Sequence, residues 1–289
     1  MHAAETIVQT RINQRFEELS RSGDLGLVAY VTAGDPSLEA TRQIVLAAAG
    51  AGADVVELGV PFSDPLADGP VIQRASERAL KAGTTLSGVL DLVRDIRGHS
   101  QVPLVLFTYF NPVLQMGLDT FAGRAQSAGA DGALVTDLPP EDSGDYRSAL
   151  HSRGLDTIFL AAPTTGDERM RRIAEASSGF LYVISRTGVT GERESLADEL
   201  PALLRRARQA TSLPIAVGFG ISLPGHVSLL GGLADAAVVG SALVAEVERA
   251  GSAEEAAANV AARIRVLKQA GLRGMSRREA ASADPGSHP

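Results

Sequence analysis

Residues 54–70 read DVVELGVPFSDPLADGP. The stretch opens as an apolar run carrying one acid, Glu57, and then passes Pro61, Asp64, Pro65 and Asp68 to reach Pro70. Strand alternation sets Val55, Glu57 and Gly59 on one face and Val56 and Leu58 on the other. Apart from the acid, neither face is polar. A strand with no solvated side belongs in a parallel sheet covered on both faces. A carboxylate at such a position is costly unless it has a partner or a task.

Seven further short runs share that character: LGLVAYVTA (25–33), PLVLFTY (103–109), DGALVTD (131–137), LDTIFLAA (155–162), FLYVIS (180–185), LPIAVGF (213–219) and DAAVVGS (235–241). Segments of helical spacing, such as SLEATRQIVLAAAGAG and SGDYRSALHSRG, separate them, with Gly near their ends. With ADVVELGV (53–60) this makes eight strand–helix units, the count of a closed (β/α)8 TIM barrel of the α/β class. An open doubly wound sheet requires no such number. Residues 5–20 form an additional N-terminal helix with Ile7, Ile12, Phe16 and Leu19 on one stripe, placed to close the bottom of the barrel. Residues 1–272 are expected to make one barrel domain including that helix. Residues 273–289 are polar and rich in small residues, the composition of a disordered tail.

Bulk properties narrow the function. The net charge is −7 and no basic stripe appears, which disfavours nucleic acid as a partner. Cysteine is absent, so disulfides and thiolate chemistry are excluded. The histidines (His2, His99, His151, His226, His288) show no metal-ligand spacing, and no metal is expected. Neither a signal core nor a run long enough to span a membrane is present, so a cytoplasmic protein is the expectation.

In a barrel the chemistry sits at the C-terminal ends of the strands. Glu57 lies there with no Lys or Arg on any strand run to pair with it. Desolvation would raise its pKa toward neutrality, which suits an acid–base catalyst. Asp68 in Asp-Gly-Pro reads as a helix cap as readily as a catalytic group. Asp64 reads as a turn residue, Asp35 as an N-cap before Pro36, and Asp137 as a cap for the helix that follows it or an orienter of its loop. Gly220, Gly240 and Ser241 converge on an anion site at a helix N-terminus, or merely make tight turns. Arg186 and Thr190 lie in the Gly-rich RTGVTG loop, which is either a mobile lid or an ordinary surface loop.

Taken together and in order, VELGVPFSDPLADGP, YVTAGDP, TYFNPV, LYVISRTGVTG and VGFGIS closely resemble the tryptophan synthase alpha subunit family, from residue 26 to about residue 245. The resemblance implies a (β/α)8 barrel that splits indole-3-glycerol phosphate into indole and glyceraldehyde 3-phosphate in tryptophan biosynthesis. It implies Glu57 as proton shuttle and Asp68 as the group facing the indole N–H. Gly191, Gly220, Gly240 and Ser241 would hold the phosphate. Phe107, Tyr109, Leu134, Leu160, Tyr182 and Phe219 would line the indole slot, although core packing alone accounts for such residues. Tyr182 would also position Glu57, and Thr190 would meet the catalytic aspartate when the lid closes. The implied partner is a beta subunit, in an alpha2beta2 heterotetramer, that carries pyridoxal phosphate, receives indole through a tunnel and joins it to serine. No cofactor is implied in this chain. Pro61, Asp64 and the 137–142 loop would touch the partner. Thr136, Phe107 and Ala29 depart from the residues common in the family. Three other readings compete: another phosphorylated-sugar isomerase or epimerase, a standalone indole-releasing lyase, and a non-catalytic regulatory barrel.

Overall fold

The computed structural model describes residues 10–185, 196–218 and 220–272. Among these residues, strands β1 (Gly26–Thr32), β2 (Val55–Gly59), β3 (Leu104–Thr108), β4 (Gly132–Val135), β5 (Asp156–Ile158), β6 (Leu160–Ala161), β7 (Leu181–Ile184), β8 (Ile215–Gly218) and β9 (Ala236–Val239) form one sheet. Its order is β5-β4-β3-β2-β1-β9-β8-β7-β6, and every pairing is parallel. The run 155–162, expected as one strand, is broken at Phe159. Its first half pairs with β4 and its second with β7. The chain itself therefore bridges the two ends of the sheet, and the eight runs make a TIM barrel.

Alternation along the strands builds two apolar layers. Val28, Tyr30, Val55, Val105, Phe107, Leu134, Ile158, Tyr182, Ala216 and Val238 fill the interior. Leu27, Ala29, Val56, Leu58, Leu104, Leu106, Val183 and Val217 point outward beneath the helices. Strands buried on both faces in this way explain the continuous apolar runs.

The N-terminal helix runs Arg11–Ser22 behind Thr10, whose hydroxyl accepts from the Asn13 N–H, so it begins later than residue 5. Residues 1–9, and with them Ile7, lie outside the described residues. Ile12, Phe16 and Leu19 join the interior layer, and Phe16 meets Phe180 at 5.7 Å between ring centroids. This end of the barrel is thus plugged by the helix.

The plug is held by carboxylates at the starts of strands. Asp54 Oδ2 accepts from the Leu27 N–H at 2.6 Å and from Lys268 Nζ at 2.5 Å, while Arg15 Nη2 donates to its Oδ1. Asp131 repeats the pattern with the Leu104 N–H, Arg97 and Arg11. Asp156 accepts from the Thr10 hydroxyl at 2.6 Å. Each of these aspartates is buried. Removing one partner from such a pair costs about 3–5 kcal/mol, because it strands a charge in the interior. This end of the barrel is therefore committed to stability, and the opposite end is left for chemistry. Among the described residues no helix is long and apolar enough to cross a membrane.

Candidate active site

Glu57 projects from β2 into the barrel. It is wholly buried, and neither carboxylate oxygen has a hydrogen-bond partner among the described residues. Desolvation raises its pKa to about 8. The side chain is therefore protonated at neutral pH, yet close enough to its pKa to give up and regain a proton. Among the described residues no Lys or Arg pairs with it, so the ion pair that would have explained a buried acid structurally is not found there.

Two tyrosines flank it. Tyr30 on β1 pairs in register with Glu57, and its ring meets Phe107 edge-on at 5.2 Å and 82°. Burial raises its pKa, as do the charges of Asp68 and Glu57. Tyr182 on β7 is raised by burial and by the charges of Glu57 and Tyr30. A Cβ on Gly59 would fall 2.1 Å from Tyr30 Oη, and one on Gly218 would fall 2.2 Å from Tyr182 Oη. Glycine at these two strand ends makes room for phenols leaning over from the neighbouring strand. Tyr30 is the neighbour of Glu57 that the sequence reading did not single out. The alternation of GLVAYVT, which sets Val28, Tyr30 and Thr32 on one face, was the available signal.

Asp68 reaches the site from the loop after β2. Helix Pro70–Lys81 is N-capped by Gly69 with no side-chain cap bond, so Asp68 does not act as the cap. Tyr109 Oη donates to Asp68 Oδ2 at 3.2 Å. Desolvation raises the pKa of Asp68 to about 6, against the lowering effect of the Tyr109 bond. At pH 7 one acid of the pair is protonated and the other ionised. Environments that push two acids apart in this way assign them different roles.

Tyr109, expected as a liner of the slot, clamps this loop. Its hydroxyl also accepts from the Ala67 N–H at 3.1 Å, and its ring stacks on Phe62 at 5.0 Å. Tyr109→Phe keeps the stacking and removes the donor. Its expected effect is a roughly tenfold slower turnover and a higher Asp68 pKa, read as an acid limb of the pH–rate profile moved toward neutrality.

Phe107, Leu134 and Tyr182 are buried in the interior layer, and Leu160 packs against it half-buried. Gly220 adopts φ +90, so the turn itself calls for glycine. Gly240 precedes helix Ser241–Arg249, whose first turn carries no side-chain cap, and Ser241 is exposed. A Cβ on Gly240 would meet only ordinary contacts, the nearest at 3.5 Å. Arg186, Thr190, Gly191 and Phe219 lie outside the described residues. Pro61 is buried, so the loop offers outward Ser63, Asp64, Leu66 and Ala67 instead. Asp35 is not an N-cap: Ser37 caps the helix Leu38–Gly50, and Asp35 pairs with Arg78. Asp137 accepts from the Phe110 N–H at 2.7 Å, capping the helix Phe110–Met116 that precedes it in the chain.

A family model described as tryptophan synthase alpha chain matches residues 16–272. The tryptophan synthase alpha chain of Solibacter usitatus is 55% identical over 251 residues, covering 87% of this chain and 93% of that one. That of a Geobacter species (strain M21) is 50% identical, covering 85% and 92%. Among solved structures, tryptophan synthase subunit alpha from Legionella pneumophila aligns with TM-score 0.81 and 39% identity over 90% of this chain and 98% of its own. An open form of tryptophan synthase from M. tuberculosis aligns with TM-score 0.82 and 30% identity, covering 91% and 99%.

Proposed function

The chain belongs to the tryptophan synthase alpha chain family, and from that premise we propose that Glu57 and Asp68 carry out the family's reaction. The enzyme is a carbon–carbon lyase that cleaves indole-3-glycerol phosphate in tryptophan biosynthesis. The bond to be broken joins indole C3 to the glycerol side chain, and indole is a poor leaving group as a carbanion. Glu57, protonated at the outset, gives its proton to C3. The positive charge spreads to the indole nitrogen, whose N–H faces the ionised Asp68. Glu57, now a carboxylate, takes the proton of the hydroxyl on the adjacent carbon. The carbon–carbon bond electrons return to the ring, indole departs, and the hydroxyl carbon becomes the aldehyde of glyceraldehyde 3-phosphate. Glu57 ends protonated, ready for another cycle. The observation that carries this reading is the wholly buried Glu57 carboxyl, which has no hydrogen-bond partner among the described residues and whose pKa desolvation raises.

The phosphate end is assigned to Gly240, Ser241 and Gly220, with Gly191 completing it. A helix start with no side-chain cap bond, preceded by a glycine that brings no side chain of its own, suits an anion. Phe107, Tyr109, Leu134, Leu160 and Tyr182, joined by Tyr30, are assigned to the indole slot; the family resemblance assigns Phe219 to the same slot and Arg186 and Thr190 to a lid. No cofactor is assigned to this chain. Its lysines, Lys81 and Lys268, both lie on outer helices, and pyridoxal phosphate belongs to the beta partner.

The partner surface is the rim around the Asp68 loop. Leu66 is 94% exposed at the loop tip, and Leu114 is 55% exposed on the helix after β3. A leucine held in water on a rigid loop is better explained by a partner than by folding. The assigned partner is the beta subunit, in an alpha2beta2 heterotetramer in the cytoplasm. The purified chain, given indole-3-glycerol phosphate, should release indole slowly, and much faster once the beta subunit is added. Fast release with no response to the partner would mark a standalone lyase. Leu66→Asp should leave the basal rate intact and weaken the partner's activation about tenfold or more.

A further inference from the structure

Four charged side chains behind the site form a network that the mechanism does not use. Arg78 donates to Asp35 through Nε at 2.8 Å and Nη2 at 2.7 Å, and to Glu248 through Nη1 at 2.9 Å. Arg74 grips the same Glu248 through Nε at 2.7 Å and Nη2 at 2.8 Å. Asp35 is 3% exposed. The forked geometry of both arginines fixes direction as well as distance.

These residues sit on elements that end in the site. Arg78 and Arg74 lie on helix Pro70–Lys81, whose N-cap Gly69 directly follows Asp68. Glu248 lies on helix Ser241–Arg249, whose N-cap is Gly240. Asp35 lies in the loop after β1, where the Ala33 N–H donates to Gly59 O at the end of β2. The network therefore ties the element that follows the indole-facing acid to the element that opens on the phosphate. Nε, Nη1 and Nη2 of Arg78 all serve carboxylates, and two arginines balance two acids. The cluster thus does not serve as an anion site in its own right.

We propose that Arg78 is a positioning residue that sets the spacing between the indole end and the phosphate end of the active site, by bolting helix Pro70–Lys81 to helix Ser241–Arg249 and to the Asp35 loop. The proposal rests on the reading of Gly240 and Ser241 as the phosphate cradle and of Asp68 as the partner of the indole nitrogen. A substrate that spans both ends feels an error in their spacing, whereas a fragment that occupies one end does not.

The test uses the full chain, with kcat and KM for indole-3-glycerol phosphate and calorimetric Kd values for glycerol 3-phosphate and for indole taken separately. Arg78→Met should raise KM roughly tenfold and lower kcat, while each fragment's Kd moves less than about twofold. Arg78→Lys should recover part of the loss. Arg94→Met, which removes only an exposed pair with Asp91, should change nothing. If Arg78→Met does not fold, Glu248→Gln and Arg78→Lys should show the same split between substrate and fragments. Equal losses for substrate and fragments, or an unchanged KM, would overturn the proposal. Gly240→Val checks the premise separately. If it leaves glycerol 3-phosphate binding untouched, the phosphate reading fails and takes the proposal with it. If it weakens that binding while Arg78→Met shows no split, the spacing role alone fails.

Discussion

Glu57→Gln is expected to slow indole release by about 10²–10⁴-fold, the usual contribution of a positioned acid–base group. Glycerol 3-phosphate should bind the variant nearly as well as the parent, because the phosphate end does not depend on the acid. The amide has the shape of the carboxyl but carries no transferable proton, and both halves of the reaction need that proton. A second effect runs in the opposite direction. The folded chain holds Glu57 at a pKa of about 8 against an ordinary 4.5. Below pH 4.5 the acid is protonated in both folded and unfolded chains and costs nothing. Between those values only the folded chain keeps the proton. Stability then falls with rising pH by about 1.4 kcal/mol per pH unit, and the loss is complete above the folded pKa. The glutamine variant escapes this loss. Urea melts across that window should show it gaining on the parent as pH rises, by a few kcal/mol in all. A dead enzyme that is the more stable protein at pH 8 is the signature of a charge kept buried for chemistry.

Asp68→Asn should lower kcat by about 10²–10³-fold, the scale for removing one preorganised electrostatic partner of a developing charge. Asparagine can still accept the indole N–H through its carbonyl oxygen, so KM should change far less than kcat. That split identifies a residue that acts on the transition state rather than on ground-state binding. The Tyr109 hydroxyl and the Phe62 stack remain to hold the loop, so the variant should fold normally. A KM increase with unchanged kcat would reassign Asp68 to substrate binding alone.

The strands were legible because each is buried on both faces and so reads as a continuous apolar run. Glu57 stood out for the same reason: a single acid in an apolar strand has few explanations. The break at Phe159 was hidden because the run 155–162 is apolar throughout, and only pairing with two different neighbours divides it. Asp68 was ambiguous on its own, since Asp-Gly-Pro is a common helix start. The structure removes the capping reading, because Gly69 is the N-cap and no side-chain cap bond is made; the hydrogen bond from Tyr109, forty-one residues on, is a contact of which local sequence carries no trace. Asp35 was misassigned for a similar reason. Its partner Arg78 is distant in the chain, and Ser37 two residues later makes the cap. Tyr30 was passed over because a tyrosine in an apolar run looks like core, which it also is. Long-range polar pairing is what the sequence reading could not reach.

The proposed mechanism requires that Glu57 begins the cycle protonated and that Asp68 begins it ionised. The direct test is the pH dependence of kcat/KM for indole-3-glycerol phosphate, from pH 5 to pH 10. Activity should rise as Asp68 ionises, near pH 6, where the substrate phosphate also loses its second proton. It should fall as Glu57 loses its proton, near pH 8. The alkaline limb is the diagnostic one, because the substrate has no group titrating there. A fall through pH 8 in the parent, retained in Asp68→Asn while the acid limb changes, is the predicted result. Activity that stays level or keeps rising through pH 9 would mean that Glu57 starts as a carboxylate, and would contradict the mechanism.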